Sequence, residues 1–184
     1  YNVWSNELFM EQRLSNLTGL IYYHNCDILC FQELTPLVFN KLIHNLGLKY
    51  PYIVSTPELE NDSGLGSAIF SKYKIQKHNS TKLSDSINDN YLLLAKISKN
   101  NVDYNIATCQ LEDSKFKQKQ YTQVINNLSD IKNLIITGDF KINEDEDHYY
   151  NLNSNLWKDT WVADGMESNK QYTSDFKTNI FVRN

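Results

Sequence analysis

Two acidic residues follow short apolar runs, at positions where catalytic carboxylates are commonly found. Glu33 ends an apolar run over 27–32, and Asp139 follows Gly138 at the end of a second run over 134–137. Runs of this length predict buried β-strands, which would carry both carboxylates to the edge of a sheet. Hard cations such as Mg²⁺ are often held by only one or two carboxylates together with water and substrate phosphate. The pattern therefore indicates a divalent-metal site that uses Glu33 and Asp139.

Both acids also have a purely structural interpretation. The segment Leu34-Thr35-Pro36 predicts a helix start with Thr35 as N-cap and Pro36 as the first helical residue. The carboxylate of Glu33 could then simply favour the positive end of that helix. Asp139 could be a turn residue after Gly138. Single positions therefore leave catalysis and local structure as open alternatives.

Composition is that of an ordinary globular domain. The chain has 184 residues, of which 41% are hydrophobic and 22% charged, and we predict a single domain over 1–184. Three cysteines in no zinc-binding spacing predict free thiols and no disulfide framework. No apolar run is long enough to cross a membrane and no signal peptide is recognisable, so we predict an intracellular protein of the nucleus or cytoplasm without a membrane partner.

The charge of the chain argues against broad, non-specific binding of nucleic acid. The formal net charge is −4 and the pI is near 5.5, whereas such binding normally requires a basic face. Lys115, Lys117 and Lys119 cluster at the start of a predicted helix. A solvated helix face is the better interpretation of this cluster, and a local basic groove is the alternative.

Apolar periodicity predicts an α/β protein in which helices flank a block of strands. Helical spacing predicts helices at about 11–23, 36–46 and 116–129. The second ends at Gly47 and has Phe39, Leu42, Ile43 and Leu46 on its core face. Strand-length runs predict strands at 27–32, 52–55, 66–71, 91–97, 104–109 and 134–137, and residues 1–4 could form a further short strand. The polar segment 143–155 predicts a loop. Because adjacent strands are not separated by helices throughout, we expect a mixed sheet in a layered domain.

Six segments of the chain carry a shared pattern, and they are 1–4, 31–36, 64–72, 107–112, 138–140 and 172–175. In this order they resemble the motifs of the endonuclease/exonuclease/phosphatase superfamily. Within it the chain is most similar to the branch of the 5′-end tyrosyl-DNA phosphodiesterases, and the resemblance runs from residue 1 to about 179. No single motif is specific, but their shared order is.

The resemblance implies a fold and a reaction. The fold is a four-layer α/β sandwich of two packed mixed sheets with helices outside, its last strands missing before Asn184. The reaction is Mg²⁺-dependent hydrolysis of a phosphodiester, including 5′-phosphotyrosyl or other blocked nucleic-acid ends, as in DNA repair. Glu33 would hold the metal, Asn2 would be its polar neighbour, and Asp139 would lie near the scissile phosphate.

The remaining motif positions differ from the family pattern. Gln110 replaces a His, and can bind phosphate but can neither carry charge nor transfer a proton. Lys141 replaces an Asn, and could bind phosphate or take over the electrostatic role of the metal. Tyr172 and Ser174 would contact the substrate, with Ser174 where relatives have an aromatic residue.

Two hypotheses for function remain open. The family's final Ser-Asp-His has no counterpart before Asn184, so we expect either a fragment of an enzyme or a chain that has lost activity. The first hypothesis is a Mg²⁺-dependent phosphodiesterase that binds nucleic-acid 5′ ends. The second is a catalytically degenerate relative that binds nucleic acid, or a protein partner through an unpaired sheet edge.

Overall fold

The computed structural model describes residues 1–86, 89–113, 115–142 and 157–165. Contacts divide the chain into two compact units, 1–141 and 142–184. The first unit contains the elements discussed below. The second contains a short helix, Thr160–Ala163. The predicted loop 143–155 and the predicted substrate residues Tyr172 and Ser174 lie outside the described residues.

The described residues of the first unit contain the helices and strands predicted between residues 11 and 137, together with a short helix at 57–60 and a strand at 75–82 that the apolar runs do not predict. The helices are α1 (Met10–His24), α2 (Pro36–Leu46), α3 (Pro57–Glu60) and α4 (Lys117–Leu128). The strands are β1 (Ile28–Leu34), β2 (Tyr52–Ser55), β3 (Gly66–Ser71), β4 (Ile75–Lys82), β5 (Tyr91–Lys99), β6 (Val102–Gln110) and β7 (Leu134–Asp139).

These strands form two sheets. The smaller sheet has the order β1-β3-β2 with antiparallel pairs, and an isolated parallel bridge joins Asn2 to Gln32 beside it. The larger sheet has the order β4-β5-β6-β7, antiparallel except for the parallel pair β6–β7. In place of the predicted strand at residues 1–4 the structure has only the Asn2–Gln32 bridge.

Alternation along the strands produces two apolar layers. One face of β1 and β3 packs against helices α1 and α2, through buried residues such as Phe31, Leu42 and Phe70. The other face of the same sheet meets the larger sheet, through Ile69 of β3 and Leu93 of β5. Helix α4 is hydrogen-bonded to the larger sheet through Gln123, whose Nε2 donates to Lys82 O at 3.0 Å. The predicted α/β sandwich of two sheets with helices is therefore confirmed.

Helix α2 has the predicted bounds, but its buried face is rotated. Thr35 is the N-cap as predicted, because its Oγ1 accepts from Val38 N at 3.2 Å. Val38 is buried, whereas Ile43, predicted for the core face, is 37% exposed. Gly47 has φ −59°, so this helix does not end in the left-handed turn that a C-terminal glycine predicts.

Strands at the edges of the larger sheet differ most from expectation. β4 is not predicted from the sequence, because its residues are polar. It joins the sheet through its backbone, since seven of its eight residues pair with β5 whatever their side chains. β7 is less buried than its apolar sequence predicts, and Ile135 is 50% exposed. Within the described part of the chain β7 pairs only with β6, which leaves it at the edge of the sheet. In that same part, no helix is long and apolar enough to cross a bilayer.

Candidate active site

A bulge in β1 places Glu33 at the end of the smaller sheet. Phe31 pairs with Ala68, but Leu34 pairs with Gly66, so β1 has one residue more than β3 across this interval. Glu33 has φ 57°, a left-handed conformation that is uncommon for residues other than glycine. Bulges of this kind redirect a side chain at the edge of a sheet. The strand extends past its predicted end at residue 32, and the bulge redirects the carboxylate.

The Glu33 carboxylate is surrounded by neutral donors. Its Oε1 accepts from Asn2 Nδ2 at 2.8 Å and from Gln110 Nε2 at 2.7 Å. Its Oε2 accepts from the backbone N–H of Ser5 at 3.3 Å. These bonds fix the carboxylate without cancelling its charge, so its negative potential remains available to a cation.

The register of the larger sheet places Asp139 beside the same amides. Asp139 lies opposite Gln110 in the parallel pair β6–β7, and its carbonyl accepts from Leu111 N at 2.9 Å. Gly138 permits this close pairing, since a Cβ there would lie 2.3 Å from Cys109 O. The Asp139 side chain is half-buried and points to the mouth of the sandwich, where it meets Asn2 and Lys141.

Asn2 joins the two carboxylates. Its Nδ2 donates to Glu33 Oε1 and to Asp139 Oδ2, each at 2.8 Å. The amide is oriented by Trp4 N, which donates to Asn2 Oδ1 at 2.8 Å. The backbone beside it is fixed by Val3 N, which donates to Gln32 O at 3.0 Å. Side chains from residues 2, 33 and 139 therefore converge, as the motif order predicted.

Lys141 brings a full positive charge to one side of this cluster. Its Nζ lies 2.6 Å from Asp139 Oδ2. Lys141 has φ 53°, and its carbonyl accepts from Lys117 Nζ at 2.8 Å. The ammonium is thus bound to the acid nearest the predicted phosphate position, and Glu33 has no cationic partner among the described residues.

A buried pair beneath the site was not predicted from the sequence. Gln32 Nε2 donates to Thr108 Oγ1 at 2.8 Å, and the two residues are 1% and 0% exposed. The bond joins β1 of one sheet to β6 of the other, immediately below Glu33 and Gln110. A polar residue inside an apolar strand run is a signal that could have identified Gln32, because buried amides require a partner.

A cavity of about 180 Å³ opens beside Glu33 and Gln110. Its other lining residues come from the turn before β3, from β3 and from the start of β5, and most are polar. They are Thr56, Leu65, Gly66, Ser67, Asp89, Asn90 and Tyr91. The site therefore has adjacent space for a ligand group larger than a single phosphate.

The cysteines near the site are unsuited to nucleophilic chemistry. All three cysteines are free, as predicted, and Cys26 is exposed. Burial raises the pKa of Cys109 to about 12, with a smaller contribution from the charge of Asp139. Burial also raises the pKa of Cys30. Since the thiolate is the reactive form, neither thiol is an activated nucleophile at neutral pH.

The two carboxylates of this site are chemically suited to a hard divalent cation. The described residues contain no cluster of three or more acidic, histidine or cysteine side chains suited to a metal. Glu33 Oε2 accepts one hydrogen bond, and no described residue donates to Asp139 Oδ1. Carboxylate oxygens with free lone pairs suit Mg²⁺, which commonly uses one or two carboxylates and keeps several waters.

Five of the seven residues predicted for the site lie together. Glu33, Asn2, Asp139, Gln110 and Lys141 form one hydrogen-bonded cluster. The helix-dipole interpretation of Glu33 is not needed, since its carboxylate is bonded to residues outside α2. Tyr172 and Ser174 lie outside the described residues, so their substrate contacts remain a prediction.

Solved structures with the same fold include nucleic-acid enzymes. Tyrosyl-DNA phosphodiesterase 2 (TDP2) from D. rerio, complexed with a single-strand DNA product, superposes with a TM-score of 0.83 at 20% identity, covering 97% of this chain and 74% of that chain. TDP2 from C. elegans gives 0.82 at 18%, covering 100% and 58%. The human Nocturnin catalytic domain with bound sulfate gives 0.68 at 19%, covering 89% and 69%. At these identities the likeness is one of fold.

Sequence comparison gives the family independently of the fold. A search of curated proteins finds no match. The model of the Endonuclease/Exonuclease/phosphatase family matches residues 1–181, nearly the whole chain. That match, together with the order of the motifs and the two-sheet sandwich, establishes that the chain belongs to the Endonuclease/Exonuclease/phosphatase family.

Proposed function

We propose that this chain is a divalent-metal-dependent phosphodiesterase that acts on nucleic-acid 5′ ends carrying a blocking group such as phosphotyrosine. The observation that carries the proposal is the Asn2 amide, which bonds both Glu33 and Asp139 at 2.8 Å at the mouth of the sandwich. The substrate class is supported by the fold shared with D. rerio TDP2 complexed with a single-strand DNA product. An adjacent polar cavity of about 180 Å³ provides space for part of a substrate group beside the phosphate.

Within this proposal Glu33 is the metal ligand and Mg²⁺ is the cation. The bound cation would neutralise charge on the phosphate and so make it more open to attack by water. The neutral donors of Asn2, Gln110 and Ser5 keep the Glu33 carboxylate oriented. Asp139 and Lys141 lie on the other side of the Asn2 amide, so the phosphate would be bound beside the two carboxylates.

Lys141 would bind a non-bridging phosphate oxygen. Its ammonium already lies at the site, 2.6 Å from Asp139, and is 34% exposed, so it can exchange that partner for a phosphate. Gln110 can donate a hydrogen bond to phosphate from its Nε2 but transfers no proton. The chain's own residues at this site therefore provide binding and charge compensation.

The Lys141–Asp139 contact also favours a second function, a binding module without catalysis. A resident ammonium beside Asp139 supplies positive charge where a metal would otherwise act, and it lowers the attraction of the site for Mg²⁺. Such a module would retain phosphate binding through Lys141, Asn2 and Gln110. Strand β7, which lies at a sheet edge among the described residues, is where a protein partner could add a strand.

Hydrolysis of a 5′-phosphotyrosyl oligonucleotide tests the proposal. We expect turnover that requires Mg²⁺ and is abolished in Glu33→Gln, together with a Mg²⁺-dependent rise in melting temperature that this variant loses. Glu11→Gln is the matched control, because Glu11 is an exposed acid paired with Lys41 away from the site. Phosphate binding without any response to Mg²⁺ would contradict the phosphodiesterase and support the binding module.

A further inference from the structure

Trp4 has an unusual backbone conformation next to the site. It has φ 61°, and bulky residues adopt this left-handed conformation only at a cost in free energy. Such strain persists where surrounding contacts enforce it, and it clusters at ligand sites. The Trp4 side chain is nevertheless 39% exposed, so burial in the core does not account for its position.

Three contacts hold Trp4 in this conformation. Its N–H donates to Asn2 Oδ1 at 2.8 Å, and its carbonyl accepts from Arg13 Nη1 at 3.1 Å. The Arg13 guanidinium carbon lies 4.8 Å from the centroid of the Trp4 ring. Backbone and ring are therefore fixed by the same arginine, and the ring is preorganised before any ligand arrives.

Arg13 also fixes the rest of the loop that precedes α1. Its Nη1 donates to Val3 O at 2.7 Å and its Nε to Leu8 O at 3.0 Å, while its Nη2 donates to Asn6 O. A planar guanidinium with five N–H donors can satisfy several carbonyls at once, which a lysine cannot do. The loop is thus tied to the first turn of α1.

The same loop contacts the proposed metal ligand. Trp4 is two residues from Asn2, so their Cα atoms lie within about 7 Å, and the next residue, Ser5, donates its N–H to Glu33 Oε2. The Cα of Trp4 therefore lies about one nucleotide spacing from that of Asn2, whose side chain joins the two carboxylates. Flat, exposed aromatic rings beside phosphate sites bind nucleobases by stacking, with little dependence on base identity.

We propose that Trp4, backed by Arg13, is a stacking platform for the nucleobase next to the bound phosphate. The inference rests on the proposed function, and it deepens that function by naming the ligand group and its position. The ring requires a base with a free face, as the last base of a strand has. Arg13 acts here as a positioning residue.

Binding of two short oligonucleotides tests this assignment without requiring turnover. The probes are a fluorescent 5′-phosphorylated trinucleotide and the same trinucleotide with an abasic 5′-terminal residue, measured by anisotropy with Ca²⁺ in place of Mg²⁺. We expect the intact probe to bind the natural chain about ten- to a hundredfold more tightly than the abasic one. Trp4→Leu should remove this preference, Trp4→Phe should keep part of it, and Arg13→Lys should weaken it.

Tyr23→Leu is the control, because Tyr23 is an 83% exposed aromatic residue at the far end of α1 and should leave the preference unchanged. Melting temperatures verify folding, and Trp4→Phe retains an aromatic ring if Trp4→Leu is unstable. An undiminished preference in both Trp4 variants, with Glu33-dependent hydrolysis intact, would overturn the stacking role alone. Failure of the natural chain to bind either probe would overturn both proposals. If Trp4→Leu weakens the binding of free phosphotyrosine as much as it weakens the binding of the intact trinucleotide, the ring contacts the blocking group. That result would overturn the nucleobase assignment.

Discussion

The two ends of strand β1 tie the same two sheets together by different means. At the start of β1, Asp27 accepts from Lys99 Nζ at 2.6 Å and from Lys72 Nζ at 3.4 Å, which joins it to the ends of β5 and β3. At the other end, Gln32 donates to Thr108 of β6, and this buried bond involves no charge. One end is closed by half-buried ion pairs and the other by a buried neutral hydrogen bond.

This difference explains why only one end suits a phosphate ligand. The hydrogen bond from Lys99, and to a lesser extent that from Lys72, lowers the pKa of the Asp27 carboxyl. The charge of Asp27 is thereby compensated within the fold. The charge of Glu33 is oriented by amides and remains uncompensated, so it can attract a cation. A carboxylate at a strand end is therefore structural or functional according to whether its partners are charged.

The largest expected effect concerns the buried hydrogen bond between Gln32 and Thr108. Gln32→Leu should destabilise the fold by about 1–3 kcal/mol, because it leaves the buried Thr108 hydroxyl without its partner. Urea unfolding measures this loss. Thr108→Val should cost a similar amount, and the double variant should cost less than the sum of the two, since both polar groups are then absent. Additive losses would show that the bond does not join the sheets.

The second effect concerns the positive charge of Lys141 beside Asp139. Lys141→Asn should raise Mg²⁺ affinity about tenfold, because removing an ammonium next to Asp139 removes a repulsion toward the metal. Calorimetric titration measures this affinity. Lys119→Asn is the matched control, as its ammonium pairs with Asp85 on the surface. Unchanged affinity in Lys141→Asn combined with Gln110→His would show that the roles assigned to these two positions are wrong.

The smallest effect concerns the ion pairs at the opposite end. The folded pKa of Asp27 lies below its ordinary value of 3.8, so its pairs contribute stability above that pH and lose it as the pH falls through the folded pKa. We expect Asp27→Asn to be less stable than the natural chain at neutral pH, with the gap closing below about pH 4. Thermal melts across pH 2.5–7 test this dependence. A gap that persists at low pH would mean that Asp27 acts through packing and not through charge.

Much of the fold could be predicted from short sequence patterns. Thr35 and Pro36 set the start of α2, and the run 66–71 set β3, because local caps and strand propensity act over a few residues. β4 could not be predicted in this way. Its polar residues belong to the sheet through backbone pairing with β5, and the hydrophobic periodicity of the sequence does not indicate such pairing. Ile43 was wrongly predicted to be buried, because the elements packed against α2, and not the helix itself, determine which face of α2 is covered.

For the site, the sequence by itself determined which residues are present and in what order: Asn2, Glu33, Gln110, Asp139 and Lys141. Only the tertiary structure decided that one amide bonds both acids, that Glu33 is redirected by a bulge, and that Lys141 is paired with Asp139. These features depend on register between strands that are distant along the chain, and local propensity does not encode register. The motifs therefore identified the site residues. The packing of the two sheets determined which charged groups lie together and at what distances.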